Sequence, residues 1–318
     1  MNTVKPLLYF FIALVCSFLS CFPSLAESGQ DICVKDKSGE TVCVKKVPER
    51  IVSLAPSLTE LVFDLNAGSR LVGRTSRCNF PEEAARVLEI GPYMAPDFEK
   101  LLTVKPDLVL APKNGMRPEL VYRIKSLGIP VYVDDSGSIE DINQLIMNLG
   151  VLFNKNVDAV NLVTQIEIRR KKLADVISEL EKASVLFVVG INPLVVAGST
   201  SFLSSMLSEA GGRNVVNELS SPYPKFSMEE VMRQNPDVIF MLDKECHGVD
   251  CLNYWKNFQF LKAVKNKRVY EVNSDLMSRP GARTIEALEA LANHLHPGAS
   301  MAELSLMVNE THPVRQAN

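Results

Sequence analysis

Side chains that carry chemistry are sparse in this sequence, and their types favour recognition over reaction. The four histidines are His247, His294, His296 and His312. None of them joins nearby carboxylates in the kind of set that holds a bare metal ion. His294 and His296 fall at the end of a helical pattern, where a cation is stabilised by the helix dipole. There is no P-loop, no G-x-S-x-G, no H-E-x-x-H and no dinucleotide glycine fingerprint. Neither an enzyme nor a resident cofactor or metal is therefore expected. What remains is a set of loops rich in Pro and Gly that carry polar and aromatic side chains. They are Ala55-Pro56-Ser57, Arg77-Cys78-Asn79, Gly91-Pro92-Tyr93-Met94, Lys113-Asn114-Gly115, Asn192-Pro193, Tyr223-Pro224 and the stretch from Asn273 to Arg283. Such a surface suits a large, flat, mostly apolar ligand with polar edges.

These loops need a scaffold, and the apolar patterning supplies one. Short runs rich in Val, Ile and Leu recur at Ile51 to Leu54, Leu108 to Ala111, Val131 to Val133, Val185 to Val189, Val238 to Leu242 and Val269 to Val272. Helical patterns lie between them, and three carry an S-x-x-D/E capping signature: Ser57 with Glu60, Ser138 with Asp141, and Ser227 with Glu230. Alternation of strands and helices implies parallel sheets covered on both faces. One stretch, Asn156 to Lys182, has neither Gly nor Pro and keeps helical spacing throughout.

The sequence also contains a duplication. Phe98-Glu99-Lys100-Leu101-Leu102 leads to Pro106-Asp107, and Met228-Glu229-Glu230-Val231-Met232 leads to Pro236-Asp237. Glu, Pro and Asp recur at a constant offset of 130, as do Tyr93 and Tyr223. One copy precedes the long helix and one follows it. The expected fold is α/β: two Rossmann-like lobes with parallel sheets, residues 27–152 and 185–297, joined by one long rigid α-helix within 153–184. A hairpin at 31–47 opens the first lobe, and 298–318 reads as a flexible polar tail. Ligands of open α/β sheets sit beyond the carboxyl ends of the strands, which is where the loops above fall.

The N-terminal residues read as an export signal, with Lys5 ahead of the apolar run from Leu7 to Phe22 and small residues at Ser24 and Ala26. Cleavage after Ala26 is expected; a membrane anchor and a lipoprotein acylated at Cys21 are the alternatives. Export permits disulfides. Cys33 and Cys43 flank a turn-rich centre and read as a bridged hairpin, while Cys246 and Cys251 enclose a short loop and are also expected to pair. Cys78 is left over, either as a small buried hydrophobe or as part of a ligand cleft. The balance of 34 basic and 37 acidic side chains, a net −3, gives no support for nucleic-acid binding.

Three stretches carry a family resemblance. Arg50-Ile51-Val52-Ser53-Leu54-Ala55-Pro56-Ser57-Leu58-Thr59-Glu60, Lys105-Pro106-Asp107-Leu108-Val109 and Leu127-Gly128-Ile129-Pro130-Val131 resemble the periplasmic cobalamin and ferric-siderophore binding proteins of ABC importers. Gly190-Ile191-Asn192-Pro193, Ala210-Gly211-Gly212-Arg213-Asn214 and Asn273-Ser274-Asp275 extend the likeness over about residues 31–297. The resemblance implies a monomeric receptor with a shallow cleft that moves little on binding. It also implies one exposed glutamate per lobe for docking to the importer's membrane subunits, here Glu99 and Glu229. The cobalamin branch is the most similar, with aromatics where Tyr93 and Tyr223 stand and an acid where Asp275 stands. Pro112 replaces an expected cleft tryptophan, and Arg77 stands where an aromatic is expected. The ligand expected is a cobalt corrinoid, with a ferric siderophore or haem as the alternative. The expected ligand-binding set is Tyr93, Met94, Tyr223, Asp275, Arg77, Cys78, Asn192 and Arg279. A siderophore would call on the cations Arg77, Lys113, Arg279 and Arg283, and haem on an axial His or Tyr.

Overall fold

Residues 31–216, 221–244, 250–299 and 315–316 are described by the structure, a computed structural model. The expected export signal with Cys21, and also Cys246, His247 and His312, lie outside the described residues. Strand β1 (Ile32–Lys35) and β2 (Thr41–Val44) form an antiparallel hairpin in which Cys33 faces Cys43, and the two are joined by a disulfide. Asp36 shapes its turn by accepting from the backbone N–H groups of Ser38 and Glu40 and from the Ser38 hydroxyl. Val34, Val42 and Val44 then join the main core.

The first lobe carries β3 (Ile51–Ser53), β4 (Leu71–Arg74), β5 (Leu108–Pro112) and β6 (Val131–Asp134), all parallel in the order β4-β3-β5-β6. The second carries β7 (Ala183–Ile191), β8 (Leu194–Val196), β9 (Gly212–Asn214), β10 (Val238–Leu242), β11 (Val269–Val272) and β12 (Arg315–Gln316). There β9, β7, β10 and β11 run parallel, while β8 and β12 add antiparallel edges. Burial of nearly every residue in β5 and β10 matches their unbroken apolar character, as strands covered on both faces require. Within the tail, read as flexible from the sequence, Arg315 and Gln316 pair with Glu271 and Tyr270 along the edge of β11. From Ile32 onward both lobes belong to one compact unit.

The duplicated block proves to be a structural repeat. Each short helix, Phe98–Thr103 and Met228–Gln234, is followed by a left-handed residue, Lys105 at φ 45° and Asn235 at φ 43°. Pro then prevents the helix from resuming. Asp107 accepts from the backbone N–H of Glu49 and of Arg50, both at 2.9 Å. Asp237 accepts from the backbone N–H and hydroxyl of Ser184 at 3.0 and 2.6 Å. Each aspartate therefore fixes the start of the strand beside its own, β3 in one lobe and β7 in the other.

The joining helix begins at Asn156 as the pattern requires but ends at Ile177, short of Lys182. A tighter turn, closed by Leu180 N–H donating to the Ile177 carbonyl, delivers the chain to β7. Its 22 residues span about 33 Å. Only Ala159, Ile166 and Leu173 are buried, at a spacing of seven, so one narrow seam packs on helix Ile139–Phe153 and on the last helix, Thr284–Leu295. Ser138 and Ser227 cap their helices by accepting from the N–H of Asp141 and Glu230. Ser57 does not cap its helix. That helix starts at Pro56, and Glu60 is buried and turned toward the second lobe.

Cys251 is disulfide-bonded, but its expected partner Cys246 lies outside the described residues. Cys78 is a free thiol with no exposed surface. Peptide mapping after alkylation should therefore find Cys78 unmodified in the native protein and modified once the chain is unfolded. Cys33 and Cys43 should be modified only after reduction. Alkylation of Cys78 under native conditions, or of Cys33 without reductant, would contradict this arrangement.

Candidate functional site

The carboxyl ends of both sheets open onto one cleft of about 700 Å³. The first lobe contributes the loop after β3, Arg77, Tyr93, the end of β5 with Pro112 and Asn114, and residues 134–137 at the end of β6. Facing them are Thr200 to Phe202, Pro222, Tyr223, Lys244 and the segment Ser274 to Pro280. Tyr93 and Tyr223 thus meet the cleft from opposite lobes. The Tyr93 hydroxyl donates to the Asn114 carbonyl at 3.3 Å. Its ring lies where a side chain at position 115 would fall, 3.1 Å from the Cβ position, and Gly115 at φ 83° accommodates both demands. Burial, with Cys78 and Asp134 nearby, raises the Tyr93 hydroxyl above the usual phenol range, so it enters the cleft as a neutral group. Tyr223 is 46% exposed, and its hydroxyl has no hydrogen-bond partner among the described residues.

Three of the expected ligand residues are not in the cleft wall. Met94 follows Tyr93 in a tight turn and points to solvent, 60% exposed. Cys78 is sealed beneath its loop with its sulfur 3.2 Å from the Thr75 hydroxyl, so it is the small buried hydrophobe and not a cleft group. Asn192 caps the hairpin between β7 and β8, exposed beyond the sheet end.

Arg279 lines the cleft but is already engaged. It is 7% exposed and meets Glu60 at 2.8 Å, Asn79 at 2.9 Å and Asp275 at 2.9 Å. Arg283 binds both oxygens of Glu60, at 2.9 and 2.7 Å, and lies over the Phe80 ring. Glu60 comes from the first lobe and both arginines from the second, so a buried carboxylate and two guanidinium groups clasp the lobes together. Asp275 pairs with Lys244 as well as Arg279. Burial acts to raise it, but the two cations hold it below the usual carboxylate range. Lys113 pairs with Asp135 at 2.6 Å, and Asn114 donates to the same carboxylate. Of the charged groups in the wall, Arg77 and Asp134 have no ion-pair partner among the described residues.

Asp134 was not singled out by sequence reasoning. Its signal was present, a buried strand ending in Asp134-Asp135 at the carboxyl edge of a sheet. His294 and His296 are remote from the cleft, and burial lowers both below the usual imidazole range, so neither acts as the helix-end cation expected. Among the described residues no group of His, Cys, Asp or Glu is placed to hold a metal ion. Glu99 and Glu229 are exposed at equivalent helix starts and neither lines the cleft.

Residues 51–276 match a family described as periplasmic binding protein. The sequence is 31% identical over 274 residues to an ABC transporter substrate-binding lipoprotein of Bacillus subtilis, covering 84% of this chain and 86% of that one. It is 26% identical over 246 residues to a vitamin B12-binding protein of Vibrio campbellii, covering 77% and 89%. Among solved structures, the periplasmic vitamin B12 binding protein of Vibrio cholerae superposes with a TM-score of 0.71 at 26% identity, over 78% of this chain and 97% of that one. A periplasmic heme-binding protein from Roseiflexus gives a TM-score of 0.72 at 26% identity, over 79% and 99%.

Removing one partner from a buried ion pair leaves an uncompensated charge and costs about 3–5 kcal/mol. Glu60→Gln should therefore lower the urea unfolding midpoint by the equivalent of about 3 kcal/mol, with an unchanged m-value. An unaltered midpoint would mean that the clasp does not hold the lobes.

Proposed function

This chain belongs to the periplasmic binding protein family, and from that premise we propose that its cleft takes a corrinoid for delivery to an ABC importer. At the coarser level, it is an importer substrate-binding protein of the class that takes cobalamin, haem or iron chelates. The corrinoid reading is carried by one observation: the charges of the cleft wall are largely engaged with one another. Arg279 and Lys244 meet Asp275, and Lys113 meets Asp135. An anionic ferric chelate needs several unengaged cations, and Arg77 alone answers that description among the described residues. A corrinoid presents apolar faces edged mainly by neutral amides. Tyr93 and Tyr223 offer flat apolar area with hydroxyls able to reach such groups. Haem is the second reading, favoured by the unpartnered hydroxyl of Tyr223, since a tyrosine can serve as an axial iron ligand.

The proposed setting is the periplasmic side of the membrane, reached through the signal at residues 1–26 or held there by a lipid on Cys21. The lipoprotein name of the Bacillus subtilis relative supports the second route. The site assignment is testable with the purified protein and visible titrations against cyanocobalamin, a ferric catecholate and haemin. Cyanocobalamin should bind, and Tyr93→Ala and Tyr223→Ala should each weaken it by about 1–3 kcal/mol, the scale of burying one large side chain. Binding of haemin alone, with a tyrosinate band lost in Tyr223→Phe, would overturn the corrinoid reading in favour of haem.

Glu99 and Glu229 are proposed as the docking contacts for the importer's membrane subunits. They occupy the same place in two repeated units, so a twofold partner meets one carboxylate from each lobe. Exposed ion pairs of this kind set orientation and encounter rate more than affinity and are weakened by salt. Glu99→Ala/Glu229→Ala should abolish most uptake in cells while leaving solution binding of cyanocobalamin intact. Normal uptake by the double variant would remove the docking assignment.

A further inference from the structure

We infer that Asp134 makes the cleft selective for a macrocycle edged by neutral primary amides over one edged by carboxylates. The inference rests on the corrinoid reading and narrows it to amidated corrinoids. Asp134 is the last residue of β6, the edge strand of the first sheet, and it lines the cleft. Its backbone is fixed by Lys113 N–H, which donates to its carbonyl at 2.7 Å. Its side chain is fixed by Ser136, whose N–H and hydroxyl donate to Oδ1 at 3.1 and 2.6 Å. Those bonds account for one oxygen. The other, Oδ2, has no hydrogen-bond partner among the described residues, yet it is not sealed from solvent. A residue only 7% exposed therefore lines the cleft with one acceptor that has no partner among the described residues and keeps some access to solvent.

The charged groups that act on this carboxylate are acidic: Asp135 and Asp141 lie after it in the chain, each carrying its own lysine, Lys113 and Lys37, while Tyr132 precedes it on β6 and Tyr93 approaches from the loop after β4. Lys113, the nearest cation by sequence register, gives its ammonium to Asp135. Elsewhere in the wall, Lys244 and Arg279 are engaged with Asp275, leaving Arg77. Burial lifts Asp134 to about 6, against the two Ser136 hydrogen bonds, and Asp135 and Asp141 add to the rise. An N–H donor from a ligand amide satisfies Oδ2 without bringing in charge. A ligand carboxylate at the same place meets like charge in a partly desolvated site, where the repulsion is felt most strongly. A purely structural role in the turn would use Oδ1 alone, and Asn at this position retains that acceptor while presenting N–H groups to the cleft instead.

The test uses the protein without its first 26 residues and two probes: dicyanocobinamide, with amides at its edge, and dicyanocobyrinic acid, with carboxylates in their place. The wild type should prefer the amide macrocycle by about tenfold or more, the scale of one charge-assisted hydrogen bond. Asp134→Asn should lose about tenfold toward the amide and narrow or invert the preference. Because the ionised carboxylate is the acceptor, wild-type affinity for dicyanocobinamide should fall as pH drops through about 6, and it should be flat in the variant. This pH titration stands even if the variant does not fold. Equal affinity of the wild type for the two macrocycles, or a flat wild-type pH profile, overturns the inference while the corrinoid reading survives. Binding of neither macrocycle, with haemin or a ferric chelate bound instead, overturns both.

Discussion

An ionised carboxylate buried between two protein lobes is costly unless cations are buried with it, and Glu60 is 3% exposed. Much of the cleft follows from how that requirement is met. Arg279 and Arg283 come across from the second lobe, and because Arg279 has donors to spare it also binds Asn79 and the Arg77 carbonyl. The loop after β4 is thereby fixed, and the Arg77 side chain is left beside the cleft. On its other side Arg279 meets Asp275, which in turn meets Lys244. One buried charge thus sets the positions of four charged groups in the cleft wall, and a cleft whose cations are consumed internally is poorly suited to a polyanion.

The joining helix repeats this logic at its flank. Arg169 binds Glu289 of the last helix in a pair that is 21% and 2% exposed. Arg170 reaches Glu140 at the start of a first-lobe helix and Glu209 at the end of a second-lobe helix. The helix therefore joins the lobes by side chains as well as by chain continuity. With the clasp at one end of the last helix and Arg169 along its length, relative rotation of the lobes would break buried or half-buried ion pairs on two faces at once. Such pairs contribute little net stability, but breaking them leaves charges stranded, so they resist distortion more than they drive folding.

What the sequence revealed and what it hid divide along the range of the interactions. The repeat at an offset of 130, the strands, the hairpin with Cys33 and Cys43, and the start of the helix at Asn156 are local patterns, and local physics decides them. Glu60 was misread as a capping residue for the same reason. The S-x-x-E signature is local, whereas its true partners lie 219 and 223 residues away. Met94, Cys78 and Asn192 sit in loops, which have no side-chain period from which inward and outward positions can be told apart. Arg279, expected as a ligand residue, does line the cleft, but its engagement by Glu60 is invisible without the fold. Asp134 was missed because a strand-ending acid is common, and only its lack of an ion-pair partner among the described residues sets this one apart.

The two constraints combine in how a receptor clasped in this way would discriminate. A cleft held open in one geometry avoids the cost of ordering itself around a ligand, so its preferences reside in the few groups the scaffold has left unmatched. Here the clasp and the Lys113–Asp135 pair settle most of the charges before any ligand arrives. Among the described charged groups of the wall, Arg77 and the outer oxygen of Asp134 are what the scaffold leaves over, one donor and one acceptor on the first-lobe side. Neither needs a ligand of opposite net charge; together they ask for a polar edge that can both give and receive a hydrogen bond. Under the corrinoid reading proposed above, the apolar area between Tyr93 and Tyr223 would supply affinity that is indifferent to that edge. On that reading, a division of labour between flat rings and two unmatched charged groups would let a fold shared with vitamin B12-binding and heme-binding proteins be retuned by substitutions at a few strand ends, with the clasp left as it is.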